Sequence, residues 1–472
     1  MIMSDNFIDP SSASHPDSVL RLSSAVHRFA IPFINPKDQI SFEDSFNTCS
    51  QSHSNTIAAL QQADNRRREI KAAMASGKVI HSSLSTTLEE YIPVVNQILL
   101  SCKFQPEVAR LDKQVVFSWS SGIEYNKHNK SKEFSDSEAL MFELVLSIAT
   151  YALSESNTGC DSCVDGDFPK ASRHFAKTAG IFQYLGEDIL PNWMANSVQH
   201  AERENESLAE TRVGVCLAMQ HLYMAMAQQM AVATVLAKPG TPNYALLGKL
   251  SMGIAAELES FVTTFRSKSP VHMSRIDPSF LTLITFLINI QHSLGLYFLG
   301  RSLWLDCEYG VAIAAISEAT VAARTRTTPT GRGLPEIECT SLQSLLPELS
   351  DYREHMASLL QSWEKDNTLV YFNKVPPSVP ADKALKPIRL KKIEEYNLDM
   401  AKDPLPFSLP GVCDEEEVSS SIEVEKKTNG SNDGPSRGAD PPSYDEAMNN
   451  SSFQEQVDSD LARDLHSKLN SE

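Results

Sequence analysis

The sequence predicts a mostly α-helical body with a minor β element, followed by a disordered acidic tail. Three observations carry this prediction. Apolar residues recur at helical spacing through most of the chain. Glycine is scarce, with 19 residues in 472, which disfavours a glycine-rich βα fold. Residues 411–472 are rich in Ser, Asn, Gly and Asp and poor in aromatic residues, so they cannot bury enough surface to fold.

The composition and charge exclude several classes of protein. Lys and Arg number 42 against 60 Asp and Glu, a net charge of −18, so we expect no nucleic-acid partner. Eight cysteines are too few for a disulfide scaffold, and residues 1–14 contain no apolar leader, so we expect reduced thiols in the cytoplasm. The longest apolar stretch, residues 280–290, is shorter than the roughly 20 residues that span a bilayer. We therefore predict that the chain does not cross a membrane.

Apolar spacing predicts the helices of the body in chain order. Residues 1–16 are polar and are expected to be disordered. Residues 137–154 place Leu140, Leu144 and Ile148 at intervals of four, which predicts a helix. Further helices are predicted over residues 213–237, 280–305 and 309–324. The last of these is rich in small residues, so it can pack closely on its neighbours, as helices do in solenoids.

Three other segments are predicted to have extended backbone. Residues 114–119 are rich in β-branched and aromatic residues, which favours a strand. Residues 369–372 are predicted to form a second short extended piece. Residues 403–410 contain three prolines, which disfavour a helix and indicate an extended segment.

Motifs for catalysis or cofactor binding are nearly absent, so we predict no enzymatic activity, no cofactor and no metal. The exception is Cys160-Asp-Ser-Cys163, which lies in a stretch rich in Gly and Asp that we interpret as a loop. A zinc site needs four ligands, commonly from a second pair of cysteines, and none is evident. Two free thiols are the preferred interpretation, and a metal or redox site is the alternative.

The strongest binding motif lies in the predicted tail. Pro441, Pro442 and Tyr444 form a Pro-Pro-x-Tyr segment. Such a segment favours a polyproline II turn whose prolines stack on aromatic grooves, as WW domains require. We predict a WW-domain partner, with chance occurrence of a four-residue motif as the alternative.

Two further patterns each leave two interpretations open. An apolar residue recurs every fourth position from Phe453 to Leu469, which indicates either a helix that folds on a partner or a nascent helix without one. Five basic residues lie near the end of the body: Lys383, Lys386, Arg389, Lys391 and Lys392. They form either a solvated helix face or a contact with anionic membrane.

Read in order, several segments resemble the Bro-one domain family of ESCRT-associated proteins, which includes Alix-like and short BROX-like members. The segments that carry the resemblance are residues 115–122, 142–152, 171–182, 309–319 and 364–376. The last is the most specific, because a Lys-Asp-Asn turn leads through an apolar stretch to a Val-Pro. The resemblance spans residues 17–410, which we take as the domain.

The resemblance implies a curved, tetratricopeptide-like helical solenoid with a small sheet, and it implies binding rather than catalysis. The expected partner is the amphipathic C-terminal helix of an ESCRT-III subunit, held in an apolar groove. The expected role is a non-enzymatic adaptor in endosomal sorting, cytoplasmic and peripheral on endosomes. The tail would then recruit a WW-domain protein, plausibly a HECT-type ubiquitin ligase.

The family's groove motif, an aliphatic pair around a Lys, matches Leu246 and Leu250 around Lys249. The aromatic anchor of the preceding helix falls near Met230 and Ala231, where this sequence has no aromatic residue. The chain ends in Leu-Asn-Ser-Glu rather than a prenylation box, so membrane recruitment is expected through partners or a basic face. The alternative function is a tetratricopeptide-like scaffold or co-chaperone unrelated to ESCRT, which would carry basic clamps for an acidic terminus.

Overall fold

In a computed structural model of the chain, the described residues are 16–25, 34–37, 39–75, 79–124, 134–196, 207–324, 340–389, 392–396 and 403–409. The predicted N-terminal segment up to residue 15 lies outside them. So do the predicted tail, the Pro-Pro-x-Tyr motif at Pro441, Pro442 and Tyr444, and the apolar stripe from Phe453 to Leu469. Contacts divide the chain into two units, Met1–Val412 and Cys413–Glu472. The domain boundaries proposed from the sequence stay predictions.

The described part of the first unit is mostly helical, as predicted, and contains one three-stranded sheet. Its first eight helices are α1 (Asp17–Ser23), α2 (Phe42–Ser45), α3 (Asn47–Ser50), α4 (Ser54–Ala75), α5 (His81–Phe104), α6 (Leu140–Val164), α7 (Phe168–Tyr184) and α8 (Leu190–Asn196). The others are α9 (Val213–Leu236), α10 (Tyr244–Lys268), α11 (Pro270–Met273), α12 (Pro278–Leu305), α13 (Tyr309–Ala322), α14 (Thr340–Gln343) and α15 (Leu346–Asp366).

The long helices pack in the order in which they occur along the chain. The order is α4, α5, α6, α7, α9, α10, α12, α13 and α15, and each packs on the next. This nearest-neighbour arrangement is the one that solenoid proteins use. Helix α12 is long and apolar enough to cross a membrane by length and composition, but half of its most apolar window is buried. Because α12 packs between α10 and α13, its apolar composition is that of a core helix.

The small sheet is antiparallel, with strand order β1-β2-β3. The strands are β1 (Asn35–Pro36), β2 (Phe117–Ser120) and β3 (Phe134–Ser137). The register pairs Trp119 with Pro36 on one side and with Ser135 on the other. Strand β2 overlaps the predicted strand at residues 114–119, and its central position explains why all four of its residues are buried.

Residues 374–389, 392–396 and 403–409 form the described parts of a C-terminal strap, and these parts contact the helices in reverse chain order. Near its start, the Val379 N–H donates to Glu318 on α13. At its end, the Leu405 N–H donates to the Ser101 hydroxyl on α5 at 2.7 Å. Leu405 and Phe407 are buried, and Phe407 packs on Phe46. Residues 403–409 are not helical, as the prolines predict.

The strap also corrects the interpretation of the basic cluster. Lys383 lies in a short 3₁₀ helix, Ala381–Lys383, and residues 384–389 are not helical, so Lys383, Lys386 and Arg389 do not share a helix face. Lys391 lies outside the described residues. Lys383 pairs with Glu308 at 2.6 Å, and Arg389 pairs with Glu257 at 2.6 Å.

Two predictions of local structure are wrong. The pair Cys160 and Cys163 lies near the end of α6 rather than in a loop, because the buried face of α6 continues to Cys163. Residues 369–372 do not form an extended piece. They belong to a π-helical turn, Asn367–Tyr371, that continues α15 and ends at Phe372 in the left-handed conformation, with φ of 55°. Leu369, Val370 and Phe372 are exposed there.

Candidate functional site

The predicted partner groove lies between α9 and α10, two consecutive helices joined by residues 237–243. The amide of Gln228 on α9 donates to the carbonyl of Leu250 on α10 at 2.8 Å. The connection turns at Gly240, whose φ of 107° favours glycine. Asn243 caps α10, because its side chain accepts from the Leu246 N–H at 3.0 Å.

The four predicted contact residues fall into two pairs with different exposure. Met230 and Leu250 are 0% and 1% exposed and belong to the hydrophobic core. Ala231 and Leu246 are half-buried at the surface. In this conformation a partner could touch only the second pair, and the first pair forms the floor beneath it.

The strap already fills the inner end of this groove. The carbonyl of Ile388 accepts from the Gln228 amide at 2.8 Å, and the Ile388 N–H donates to the carbonyl of Lys249 at 3.1 Å. Gly253 allows this approach, because a Cβ at that position would overlap the Ile388 carbonyl oxygen. A carbonyl in contact with two helices fixes the strap at this level of the groove.

The outer end of the groove is open. Val235 lies seven residues after Gln228, and Leu246 lies seven residues before Gly253, so each is two turns from the strap on the same helix face. Val235 is 37% exposed. We call Ala231, Val235 and Leu246 the open strip. The sequence analysis missed Val235, although its spacing of four from Ala231 would have identified it.

One ion-pair cluster borders the inner end of the groove. Glu257 on α10 is 5% exposed. It accepts from His221 Nδ1 on α9 at 2.8 Å and pairs with Arg389 of the strap. Two partners on two elements offset the cost of burying this carboxylate.

The cysteine pair has no feature of a reactive site. Cys160 and Cys163 are about 5% and 6% exposed, and the Cys163 thiol lies 3.1 Å from the carbonyl of Ser24. Burial, with a smaller contribution from Cys163, raises the pKa of the Cys160 thiol, so the reactive thiolate is disfavoured. Within the described ranges, no group of three or more His, Cys, Asp or Glu side chains could hold a metal ion.

His174 lies on α7. Its Nδ1 atom is 2.9 Å from Glu155 on α6. The contact joins two neighbouring helices of the body and has no connection with the groove.

Comparison with known proteins gives a family match and several structural neighbours. A family model described as a BRO1-like domain matches residues 30–409. Comparison with curated proteins finds no match. A complex of the ALIX BRO1 domain with CHMP4C superposes with a TM-score of 0.61 at 14% identity, over 79% of this chain and 97% of that one.

Two other solved structures share the fold. ALIX in complex with a SIVmac239 late-domain peptide gives a TM-score of 0.60 at 13% identity, over 80% of this chain and 50% of that one. The Bro1 domain, in a structure described as the basis for endosomal targeting by that domain, superposes with a TM-score of 0.56 at 18% identity. The match covers 78% of this chain and 92% of that one. At these identities the superpositions establish a common fold.

Proposed function

The chain belongs to the BRO1-like domain family, and from that premise we propose that it is a non-enzymatic adaptor whose body binds the amphipathic C-terminal helix of an ESCRT-III subunit. The proposed site is the open strip between α9 and α10, with Met230 and Leu250 as its floor. The fold neighbour that contains CHMP4C supports this class of partner.

The observation that carries the proposal is an apolar strip bounded by two helices and left uncovered at one end. On α9, Val235 is exposed, whereas Met230 and Leu236 on the same helix are buried. A helix about 10 Å wide can lay apolar side chains at spacings of three and four into such a strip. This is the helix-in-groove mode of recognition.

A peptide-binding measurement tests the site. We expect a fluorescent ESCRT-III C-terminal helix peptide to bind the full chain, and Leu246→Asp and Val235→Asp each to weaken binding at least about tenfold, because each places a charge on the apolar strip. Circular dichroism checks the fold of each variant. Val321→Asp, on the exposed face of α13 at 61% exposure, is the matched control. Full binding by both strip variants would reject this site.

A second proposal concerns the Pro-Pro-x-Tyr motif, and it stands on the sequence alone. We propose that Pro441, Pro442 and Tyr444 bind a WW-domain protein, plausibly a HECT-type ubiquitin ligase. Two weak sites on one chain would gain avidity where both partners lie on one membrane. Tyr444→Ala should abolish WW-domain capture by the full chain; unchanged capture would reject the motif.

This proposal implies that the protein is cytoplasmic and that its partners hold it on endosomes. The structural neighbour described with endosomal targeting supports an endosomal association. The alternative of a tetratricopeptide-like scaffold or co-chaperone requires basic residues inside the groove. Here the three residues of the open strip, Ala231, Val235 and Leu246, are apolar, which favours an amphipathic helix.

A further inference from the structure

We propose that a preformed apolar tip at the end of α15 inserts into the interface of a lipid bilayer. The tip consists of residues 368–375, and all eight are exposed. Leu369, Val370 and Phe372 are 63%, 62% and 76% exposed, and Val375 is 43% exposed. Large apolar residues exposed together, unlike single ones, mark a binding surface.

Three hydrogen bonds close the base of the tip. The Phe372 N–H donates to the Asn367 carbonyl at 2.7 Å. The buried side chain of Asn367 accepts from the Asn373 N–H and donates to the Asn373 carbonyl, both at 2.9 Å. The backbone between these two asparagines is therefore fixed before any ligand binds, which lowers the entropy lost on binding.

Aromatic rings join the tip to the body. Tyr371 stacks on Tyr309, with 3.6 Å between the ring centroids, and packs edge-on against Trp304. Trp304 stacks in turn on Trp363 at 4.2 Å, and both indole rings are buried. Tyr371 therefore anchors the tip, and its more exposed neighbours remain available to a ligand.

The backbone of Phe372 indicates that its exposure has a use. Its φ of 55° lies in the left-handed region, where helices usually end in glycine because a Cβ is disfavoured there. A bulky residue in this conformation is rare, and a ring that is mostly exposed adds little packing to the fold. Backbone strain of this kind is typical of residues that serve a ligand.

The size of the tip excludes a second copy of the chain as its main partner. A stable dimer buries roughly 20–30 residues on each side, far more than this segment offers. The run of exposed positions from 368 to 375 has no buried side, so the tip projects from the body and does not line a hollow. A projection can enter a lipid layer without a matching cavity.

The charges of the tip also fit a bilayer. Lys374 is the only charged residue among residues 367–375. A lysine at the base of an apolar tip can reach lipid phosphates while the apolar side chains enter the interface. Lys383 and Arg389 of the strap are used by ion pairs within the body. We therefore expect apolar insertion, and not attraction of charge, to drive this contact.

Flotation of the full chain with extruded phosphatidylcholine vesicles tests the proposal. We expect binding at lipid concentrations on the order of 1 mM, and a variant carrying both Leu369→Ser and Phe372→Ser to partition at least about tenfold less. Val164→Ser, at the end of α6, is the matched control because Val164 is 69% exposed, and it should bind like wild type.

Two further variants separate lipid contact from an effect on folding. Phe372→Gly should also weaken partitioning, while its thermal midpoint should not fall, because glycine accepts the left-handed conformation. The Trp of Phe372→Trp should shift its emission to the blue on vesicles and be quenched by brominated phosphatidylcholine. A residue that serves only the fold would give neither result.

Several outcomes would overturn the proposal. Wild type that does not float, or that floats no better than the double serine variant, would show that the tip does not bind lipid. Loss of binding in about 1 M NaCl would assign the contact to charge. The ESCRT-III peptide tests a separate site, because the tip lies on α15 and the open strip on α9 and α10, so the two proposals fail independently.

Discussion

Glu143 is a fully buried carboxylate that joins four elements of the body. It accepts from Arg67 Nε on α4 at 2.8 Å, the Tyr91 hydroxyl on α5 at 2.7 Å and Trp119 Nε1 on β2 at 2.6 Å. All four side chains are at most 3% exposed. Because the network saturates both carboxylate oxygens, it fixes the sheet against the first helices of the body.

Removing the charge of Glu143 should be costly. Glu143→Gln removes the carboxylate charge that pairs with the buried Arg67, and we expect a loss of about 3–5 kcal/mol in the free energy of unfolding. Urea denaturation measures it. Glu69→Gln removes an exposed partner of Arg66 and should cost about 0–1 kcal/mol. Equal losses in the two variants would show that the buried pair of Glu143 and Arg67 contributes no more to stability than the exposed pair of Glu69 and Arg66.

Glu210 is a second buried carboxylate, and its neighbours do not fully stabilise its charge. One oxygen accepts from Ser121 Oγ at 2.9 Å and from the Gly122 N–H at 2.8 Å. Burial, with a smaller contribution from Glu124, raises the pKa of Glu210 to about 7. Glu124 is itself paired with His272 and Arg275.

This raised pKa predicts a stability that falls as pH rises. The protonated form of Glu210 is favoured in the folded protein, so its contribution is full below the unfolded value near 4.5 and is lost as pH rises through about 7. Between pH 5 and 8 we expect wild type to lose about 2–3 kcal/mol relative to Glu210→Gln. Urea denaturation of both proteins across this range measures the difference. A difference that does not change with pH would contradict the raised pKa.

At the scale of elements, the strap depends on glycines in the helices that it crosses. A Cβ at each would overlap a strap carbonyl oxygen: Gly180 with Glu394, Gly253 with Ile388, and Gly310 with Lys374. These glycines lie on α7, α10 and α13. A helix interior normally disfavours glycine, so close approach of the strap backbone is the reason for their presence.

Gly253→Ala should therefore displace the strap. We expect a loss of about 1–3 kcal/mol from overpacking, and faster tryptic cleavage after Arg389 and Lys392 as the hydrogen bonds of Ile388 break. Gly300→Ala is the control for overpacking, because its Cβ would meet the buried Ile316 side chain at 2.8 Å and no atom of the strap lies among its nearest neighbours. If both variants were cleaved at the same rate as wild type, the glycine would not be needed for strap binding.

At the scale of the whole body, the strap connects long helices that pack mainly on their neighbours in the chain, although α1 also packs on α9, α12 and α15. When helices pack in the order of the chain, stability comes mainly from the interfaces between neighbouring helices. The strap contacts α13 through Val379, α10 through Ile388 and α5 through Leu405. It therefore adds contacts between distant parts of one chain.

Truncation tests this role of the strap. A chain ending at residue 378 loses the burial of Leu405 and Phe407 and the hydrogen bonds of Ile388. We expect its thermal midpoint to fall by roughly 10 °C or more. A chain ending at Val412 keeps the strap and should unfold like the full chain. An unchanged midpoint in the shorter chain would mean that the helix pairs are stable without the strap.

Much of the body was predictable because local apolar spacing decides it. The periodicity that predicted helices over residues 213–237, 280–305 and 309–324 corresponds to α9, α12 and α13. Local signals failed where a continuing helix overrode them. Gly and Asp around Cys160 suggested a loop, but the buried face of α6 extends past them. The apolar run at residues 369–372 suggested a strand, but α15 continues into a π-helical turn there.

The sequence by itself determined the helical class of the body, its family resemblance and the identity of a Leu-rich segment near Lys249. These follow from short-range periodicity and composition, which a single chain displays directly. Only the tertiary structure decided that Met230 and Leu250 are buried in the core, that Val235 and Leu246 are accessible, and that the strap contacts α9 and α10 at Gln228 and Lys249. Exposure depends on which distant segment packs against a helix, and here that segment lies more than 100 residues further along the chain.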